Sequence, residues 1–297
     1  MRIEDFIINV FCLIDDAVQK IIGTEPLRKR GFQPSLSDGE MIAMELIGEY
    51  LGIDTDKGIW QYFNQHWYHF FPGLNSRSNF SRHAANLWQF KHLIQTHLVK
   101  QFDNHTLYII DGFPITTANI KRSKKSIFRK NNVGAYGYCA SKDEHYFGLK
   151  GVVLINQFGL IINFTATAAN VDERQSMREL IDNQIQGLLL GDKGLIVKED
   201  VNQELKTMHI NLQTPLRKNM KDSRSPEYIN QLKNKRRLVE TVIGQLSSRF
   251  NIERNWARDV WHLTNRLWRK ILSHTVAFCL NSALGSDPLK FDNLLLT

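Results

Sequence analysis

The stretches Leu107-Tyr108-Ile109-Ile110-Asp111 and Leu188-Leu189-Leu190-Gly191-Asp192 share one pattern, a short apolar run that leads into an aspartate. Apolar runs of this length indicate buried β-strands. Most acidic residues at strand ends are simply solvated, but two of them after separate buried runs are harder to explain in that way. Adjacent strand ends lie about 4.8 Å apart, so two carboxylates placed there can share a divalent cation. The pattern predicts a sheet with an acidic site at one end.

The sequence around these two runs predicts three further strands. A turn at 156–159 joins two of them, and a helical stretch follows at about 172–186. The five predicted strands are 107–110, 149–155, 160–167, 188–191 and 209–213. The first three are expected to form an antiparallel meander, after which helix and strand alternate. This order predicts a mixed α/β fold, in which helices flank a five-stranded mixed sheet.

The first hundred residues have the spacing of helices. Ser37-Asp38-Gly39-Glu40 is a capping box and predicts the start of a helix, and a long helix is expected over 76–100. Short helices of this kind either form a helix-turn-helix-like bundle that reads DNA or cap the next domain. The net acidic charge of this segment favours the cap, and any DNA contact would depend on Arg77, Arg82 and Lys91.

Composition excludes several protein classes. The chain has 297 residues, of which 42% are hydrophobic and 23% are charged, so it is neither disordered nor a coiled-coil rod. Cys12, Cys139 and Cys279 are too far apart in sequence to form a close-spaced zinc or redox pair, which favours a reduced, cytoplasmic setting. The apolar segment 6–14 is flanked by acids and suits neither a signal peptide nor a membrane-spanning helix. We therefore expect no membrane association.

Positive charge is concentrated in the later part of the chain. Residues 1–105 carry 10 Lys+Arg and 12 Asp+Glu, whereas residues 106–297 carry 28 and 18, so the net charges are −2 and +10. A polyanion is the natural partner of such a surface, and nucleic acid is the commonest polyanion. On charge alone, a basic and merely solvated surface is about equally good as an interpretation.

Glu240 lies in a predicted amphipathic helix, 232–250, among many cations. Residues 215–258 hold 11 Lys+Arg and 4 Asp+Glu. Arg236 is the i, i+4 neighbour of Glu240, so one interpretation is an ordinary surface salt bridge. The dense basic surroundings favour the alternative, in which this acid binds a metal ion. An aromatic-rich helix is predicted after it, over 260–284.

Two other features have alternative interpretations. One is a run with six basic residues in ten, which is either a solvated hairpin tip or a clamp on a DNA backbone. Its basic residues are Lys121, Arg122, Lys124, Lys125, Arg129 and Lys130. The other is the set Trp256, Trp261 and Trp268, which either stack on a flipped base or, more commonly, fill a helical core.

Several motifs, taken in their order along the chain, resemble those of bacterial insertion-sequence transposases of the Asp-Asp-Glu (DDE) superfamily. The resemblance covers roughly residues 105–255 and implies a ribonuclease-H-like catalytic fold. The motifs are Asp111-Gly112-Phe113-Pro114, Gly148-Leu149-Lys150, Ala168-Ala169-Asn170-Val171-Asp172-Glu173-Arg174, Leu190-Gly191-Asp192-Lys193-Gly194 and Arg236-Arg237-Leu238-Val239-Glu240. Each motif alone would be weak, but together they are fairly specific.

The resemblance implies that Asp111, Asp192 and Glu240 are the metal-binding acidic triad of a site that uses two Mg²⁺ or Mn²⁺ ions. Asp111 is expected to bridge both ions, while Asp192 holds one and Glu240 the other. The three carboxyl groups are therefore expected to converge. The implied DNA contacts are Arg236, Arg237, Lys193, Lys150, Arg249 and the six basic residues of the run 121–130.

This sequence also departs from the family pattern at three positions. Lys233 stands where relatives often have a tyrosine, and Gly151 stands where many have a histidine. Ser247 stands where a lysine is usual, and Arg249 is expected to take over the contact that this lysine makes with a phosphate.

The expected organisation has three parts. They are a helical N-terminal domain at 1–104, a ribonuclease-H-like catalytic domain at 105–258, and a C-terminal helix at 259–297 that packs on the catalytic domain. The implied function is metal-dependent DNA cleavage and strand transfer of an insertion sequence, with double-stranded DNA as partner and a dimer or higher oligomer as the working assembly. The alternatives are a metal-dependent nuclease that does not join DNA and a catalytically silent DNA-binding regulator.

Overall fold

The structure is a computed structural model that describes residues 1–23, 33–102, 105–181, 185–217 and 219–295. The chain divides into two compact units. The helical unit comprises Met1–Phe102 and Leu246–Thr297, and the sheet unit comprises Asp103–Gln245. The boundary near residue 103 agrees with the predicted change from helical to mixed structure.

The described residues form ten α-helices, numbered along the chain. They are α1 (Ile3–Ile22), α2 (Asp38–Tyr50), α3 (Asp56–His66), α4 (Arg77–Asn86), α5 (Trp88–Lys100), α6 (Ile127–Lys130), α7 (Glu173–Leu180), α8 (Glu199–Thr207), α9 (Pro226–Ser248) and α10 (Val260–Ala283). Short 3₁₀ helices span Ile120–Lys125, Lys193–Leu195 and Phe291–Asn293. In the described ranges, no helix is both long enough and apolar enough to cross a membrane.

Local sequence signals explain two of the helix boundaries. The Ser37 hydroxyl accepts from the Glu40 amide at 3.1 Å, and the Glu40 carboxylate accepts from the Ser37 amide at 2.7 Å, which confirms the capping box that begins α2. The single helix predicted over 76–100 is instead two helices. Leu87, with φ −94° and ψ 9°, leaves the helical region and separates α4 from α5.

The C-terminal helix α10 packs among the helices of the helical unit. It contacts α5, α2, α4 and α1, which all belong to this unit. Leu263, Leu267 and Ile271 on α10 are buried, and so are Arg269 and Lys270. These two cations require carboxylate partners, which α2 and the start of α3 provide.

Six charged side chains form a buried ion network inside the helical unit, three cations and three carboxylates. They are Lys91, Arg269, Lys270, Glu45, Glu49 and Asp56. Lys270 lies 2.6 Å from Glu49 and also donates to the carbonyl of Phe250 at 2.6 Å. Because the charges are equal in number and paired, the network costs less to bury than isolated ions would.

We expect removal of one member of this network to be strongly destabilising. Lys270→Met leaves the Glu49 carboxylate buried with one cation fewer, which costs about 3–5 kcal/mol. Urea unfolding measures this loss, with Lys100→Met as an exposed control that changes stability by about 0.5 kcal/mol or less. Equal midpoints for the two variants would contradict the network's structural role.

The sheet unit contains a six-stranded mixed sheet, in agreement with the predicted fold class and consistent with a ribonuclease-H-like domain. Its strands are β1 (Leu107–Ala118), β2 (Ala135–Cys139), β3 (Glu144–Asn156), β4 (Ile161–Ala168), β5 (Gly187–Leu190) and β6 (Ile210–Gln213). β3 pairs antiparallel with β1, β2 and β4, whereas β5 runs parallel to β1 and β6 parallel to β5. The predicted meander of β1, β3 and β4 is therefore confirmed.

The prediction of five strands missed β2. Tyr136 and Tyr138 on β2 are 45% and 53% exposed, so this strand has no buried apolar run that the sequence pattern would reveal. It pairs with the first half of β3, Glu144–Gly148. β1 and β3 are accordingly longer than predicted, and Asp111 lies within β1 rather than after its end.

Both faces of the sheet are buried in places, since Ile109 and Val153 lie on the opposite face from Ile110 and are 0% exposed. Tyr108 and Ile110 of β1 pack in a buried cluster with Val152, Leu189 and Met177. Because side chains alternate along a strand, Asp111 points to the opposite face from Ile110. Helix α7 is shorter than the predicted stretch at 172–186, whose residues 182–184 lie outside the described ranges, and the sequence did not predict α8.

Candidate active site

The parallel pairing of β1 and β5 brings Asp111 and Asp192 together. Ile109 is in register with Leu190, the last residue of β5, and each aspartate follows two residues later. Asp111 continues in β1 opposite Val153 of β3, whereas Asp192 turns into the 3₁₀ helix that follows β5. Beyond Leu190, β1 is paired only with β3, because β5 has ended. The two carboxylates lie next to this end of β5.

A single guanidinium lies between the two carboxylates. Arg236 Nη2 is 3.3 Å from Asp111 Oδ2, and Arg236 Nη1 is 3.5 Å from Asp192 Oδ1. Both distances exceed the 2.7–2.9 Å of strong charge-assisted hydrogen bonds. Arg236 is thus shared loosely between two anions and does not form a tight bidentate pair with either of them.

Burial and neighbouring carboxylates raise the pKa of Asp111 to about 6. Desolvation is the main cause, and the negative charges of Asp192 and Glu173 add to it. The amide of Gly112, which donates to Asp111 Oδ1 at 2.9 Å, and the guanidinium of Arg236 oppose the shift only in part. The site holds too little positive charge for its carboxylates.

Glu173 is a further acidic residue of this site that the sequence interpretation missed. It is the first residue of α7, and a side chain at Gly194, two residues after Asp192, would collide with its carboxylate. Lys150 Nζ lies 3.6 Å from Glu173 and donates to the carbonyl of Val171 at 3.0 Å. The sequence offered one signal for Glu173. It follows Asp172 in the motif 168–174, to which the resemblance assigns no catalytic acid.

Glu240 is exposed on α9, one helical turn beyond Arg236. The structure describes both residues and shows no ion pair between them, because the Arg236 guanidinium is directed to the two aspartates. Within the described ranges, no three His, Cys, Asp or Glu side chains are grouped closely enough to hold a metal ion. The structure thus brings two of the three predicted acids together, and the convergence of Glu240 with them stays a prediction.

The predicted DNA contacts occupy different environments. Lys193 and Arg237 are exposed, the first directly after Asp192 and the second on α9, whereas Lys150 is engaged with Glu173. The six basic residues of the run 121–130 are all exposed, while Ser123 and Phe128 between them are buried and anchor the segment. This segment connects β1 to β2.

Arg249 has partners within the helical unit. It lies just beyond the end of α9, pairs with Asp292 and stacks over Tyr50, with 5.0 Å between the guanidinium carbon and the ring centre. Burial raises the pKa of Tyr50 to about 12, so this tyrosine is a neutral partner. These contacts compete with the phosphate contact that the sequence predicts for Arg249.

The helical region followed by a mixed sheet is a mixed α/β fold consistent with a ribonuclease-H-like domain. The family model described as the transposase DDE domain matches residues 102–260, more than half of the chain. The chain therefore belongs to the transposase DDE domain family, and the predicted relationship to DDE-superfamily transposases is confirmed. No curated protein matches the chain, and no solved structure does.

Members of this family generally use divalent metal ions, and the two carboxylates that the structure brings together, those of Asp111 and Asp192, have the donor chemistry that suits such an ion. Carboxylate oxygens are the ligands that Mg²⁺ and Mn²⁺ prefer. Burial is the main cause of the raised pKa of Asp111, and the carboxylates of Asp192 and Glu173 add to it; a divalent cation beside these groups would favour the anionic form.

We expect Asp111→Asn to stabilise the metal-free protein at pH 8. Because the folded-state pKa of Asp111 lies above its ordinary value, the ionised carboxylate lowers stability above pH 6, and the effect disappears as pH falls below about 4. The shift from 3.8 to about 6 corresponds to a gain of about 2 kcal/mol, after allowance for partial exposure. Chemical denaturation in EDTA at pH 8 and pH 4 measures it.

Asp172→Asn is the matched control, because hydrogen bonds from Arg174 lower the pKa of Asp172 to about 2. This variant should not gain stability at pH 8. A gain as large as that of Asp111→Asn, or no gain in Asp111→Asn, would contradict the charge deficit at the site.

Proposed function

We propose that this chain is a transposase that cuts and rejoins DNA at the ends of an insertion sequence, with Asp111, Asp192 and Glu240 as its catalytic acids. The observation that carries the proposal is the approach of Asp111, within β1, and Asp192, just after β5, to one shared guanidinium. The family match over residues 102–260 supports the same reading. Glu240 is included because it lies on the helix that delivers Arg236 to the pair.

The three acids would hold divalent cations, two Mg²⁺ or Mn²⁺ ions. Such an ion pair supplies an activated oxygen nucleophile and neutralises charge on the phosphodiester and its leaving oxygen. The chain's own contribution is to fix the ligands: the β1–β5 register sets the spacing of Asp111 and Asp192, and Arg236 holds both carboxylates toward its guanidinium before an ion binds.

The role of Arg236 in this proposal is to position the two carboxylates. Its side chain is only 17% exposed and both of its terminal nitrogens face carboxylates, which leaves little of it available to a DNA phosphate. Arg237, the next residue, is exposed, and the proposal assigns the direct contact with the DNA backbone to it. The two neighbouring arginines are therefore assigned different roles.

Exposed cations of the sheet unit would bind the DNA backbone. Lys193 follows Asp192 directly, and the run 121–130, which comes after β1, presents six exposed cations. Contacts of this type position DNA without reading its sequence and weaken as salt rises.

Asp192→Asn should abolish cleavage and leave binding to DNA ends nearly intact or slightly tighter. The substitution keeps the size of the side chain and removes the charge that binds a cation, so cleavage should fall at least about 100-fold. A cleavage and strand-transfer assay with DNA that flanks this reading frame, with and without Mg²⁺, measures both steps.

Asp200→Asn, an equivalent change at an exposed residue of α8, should keep wild-type activity. If Asp192→Asn cut at the wild-type rate, Asp192 would be an ordinary strand-end acid. If the wild-type protein cut DNA in Mg²⁺ without joining it, the chain would be a nuclease.

Arg236→Ala and Arg237→Ala should separate positioning from DNA binding. Arg236→Ala leaves two adjacent carboxylates without their shared cation and should lower the cleavage rate on saturating DNA by about 10- to 100-fold. Arg237→Ala should instead weaken binding and reduce the salt slope by about 0.9 per lost phosphate contact. Cleavage at saturating DNA and binding titrations in EDTA measure the two effects, and identical profiles for the variants would refute the assignment.

A further inference from the structure

The connection from β6 to α9 ends at the helix that carries Arg236. The Ser225 hydroxyl accepts from the Tyr228 amide at 3.2 Å and so caps α9 at its start. Pro226 is the first residue of α9, a position that proline favours because its ring fixes φ. These signals fix where the helix begins in sequence. They do not fix where it lies relative to the sheet, which depends on contacts of Arg224, the residue before Ser225.

Arg224 is hydrogen-bonded both to its own segment and to the end of β6. Its Nε and Nη2 donate to the two carboxylate oxygens of Asp222, at 2.8 and 2.7 Å. Its Nη1 donates to Gln213 Oε1 at 2.9 Å, and Nη2 also donates to the carbonyl of Thr214 at 3.0 Å. Asp222 therefore holds the guanidinium in one orientation, and the guanidinium joins the start of α9 to the end of β6.

A second Asp-x-Arg pair in the same unit shows what is particular to Arg224. Arg174 donates from Nε and Nη2 to Asp172 at 2.8 and 2.6 Å, with nearly the same geometry. Its side chain is 47% exposed, against 20% for that of Arg224. Within the described residues, the Arg174 guanidinium donates to Asp172 and to no other segment. The Asp-x-Arg pair alone is thus a local contact, and only that of Arg224 extends to another element.

The end of β6, to which Arg224 is bonded, is connected to the acidic site. Gln213 is the last residue of β6 and is in register with Leu190 of β5. The carbonyl of Gln213 accepts from the amide of Gly191 at 3.0 Å, and Asp192 is the next residue. One residue of β6 therefore links the Arg224 side chain to the backbone that positions Asp192.

Along α9, Arg236 depends on the position of the helix start. It lies ten residues beyond Pro226, about 15 Å along the helix axis, and a helix of this length bends little. Because its contacts with the two aspartates are already 3.3 and 3.5 Å long, a displacement of about 1 Å takes them beyond hydrogen-bond range.

Apolar packing holds this part of α9 only weakly. Ile229 and Leu232 lie between the two arginines and are only partly buried, so they contribute less than fully buried side chains would. A small cavity of about 20 Å³ lies beside them, and it is lined by Leu190, Gln213, Arg224 and Arg236 as well. The polar contacts of Arg224 are therefore needed to fix this end of the helix against the strands.

We propose that Arg224 is a positioning residue of the acidic site, which fixes the start of α9 against the end of β6 so that Arg236 reaches Asp111 and Asp192. The inference rests on the proposed function, because it concerns how the same site is assembled. Among the described residues, the Arg224 guanidinium donates to Asp222, Gln213 and Thr214 and not to the aspartates of the site. It acts through Arg236 and is not itself catalytic.

The test compares Arg224→Gln with Arg178→Gln in the full-length protein. Arg178 pairs with Glu204 at 3.1 Å and joins α7 to α8, but both side chains are more than half exposed. Each variant loses one positive charge and one contact between elements of the same unit, so a difference between them reports the place of the contact. The substrate is a DNA duplex from the sequence that flanks this reading frame, cleaved in Mg²⁺, and its affinity is measured separately in EDTA.

Arg224→Gln should lower the cleavage rate on saturating DNA about tenfold, while DNA affinity in EDTA and the unfolding temperature stay close to wild type. Arg178→Gln should cleave at the wild-type rate. If Arg224→Gln melted early, Gln213→Ala would replace it, because this change removes one acceptor of Arg224 and keeps the pair with Asp222. Gln213→Ala should lower the cleavage rate in the same direction by a smaller factor.

A double-mutant cycle with Arg236→Ala separates positioning from a general loss of folded protein. If Arg224 acts through Arg236, adding Arg224→Gln to Arg236→Ala should lower the cleavage rate little further. Losses that multiply, or a wild-type rate in Arg224→Gln, would overturn this inference and leave the proposed function standing. If the wild-type protein does not cleave DNA in Mg²⁺, the proposed function fails and this inference fails with it.

Discussion

The parallel pairing of β1 with β5 is the constraint on which the site depends. It brings two aspartates from distant parts of the sequence to neighbouring positions, since each follows the register pair Ile109 and Leu190 by two residues. β1 remains paired with β3 after β5 has ended. The carboxylates therefore lie beside a part of β1 that has no strand partner on the β5 side. Burial raises the pKa of Asp111 to about 6, the nearby carboxylates add to the shift, and the shared guanidinium of Arg236 offsets it only in part. The excess of negative charge makes the place suitable for a divalent cation.

In the helical unit, by contrast, the buried positive and negative charges are equal in number. Its three buried carboxylates are matched one for one by Lys91, Arg269 and Lys270. Among the described residues, the paired aspartates of the sheet unit share one guanidinium, whereas each buried carboxylate of the helical unit has a cation partner. Each arrangement arises from residues that are far apart in sequence.

The sequence predicted those features that depend on local pattern. The apolar runs before Asp111 and Asp192, the capping box at Ser37 and the meander of β1, β3 and β4 each have a signal within a few residues. β2 was missed because its tyrosines face solvent, and the break at Leu87 was missed because neither glycine nor proline marks it. Features that depend on tertiary packing had no local signal. Examples are the packing of α10 among the N-terminal helices, the Arg236 bridge to two aspartates in place of Glu240, and the approach of Glu173 to Gly194.

Binding of Mn²⁺ to the metal-free protein tests the central claim most directly, because it does not depend on the DNA sequence or on turnover. Calorimetric titration at pH 8 should show saturable Mn²⁺ binding to the wild type. The combined Asp111→Asn and Asp192→Asn variant should lose this binding, and Asp200→Asn should retain it. Wild-type Mn²⁺ binding by the double variant would show that the two strand-end aspartates do not form the metal site.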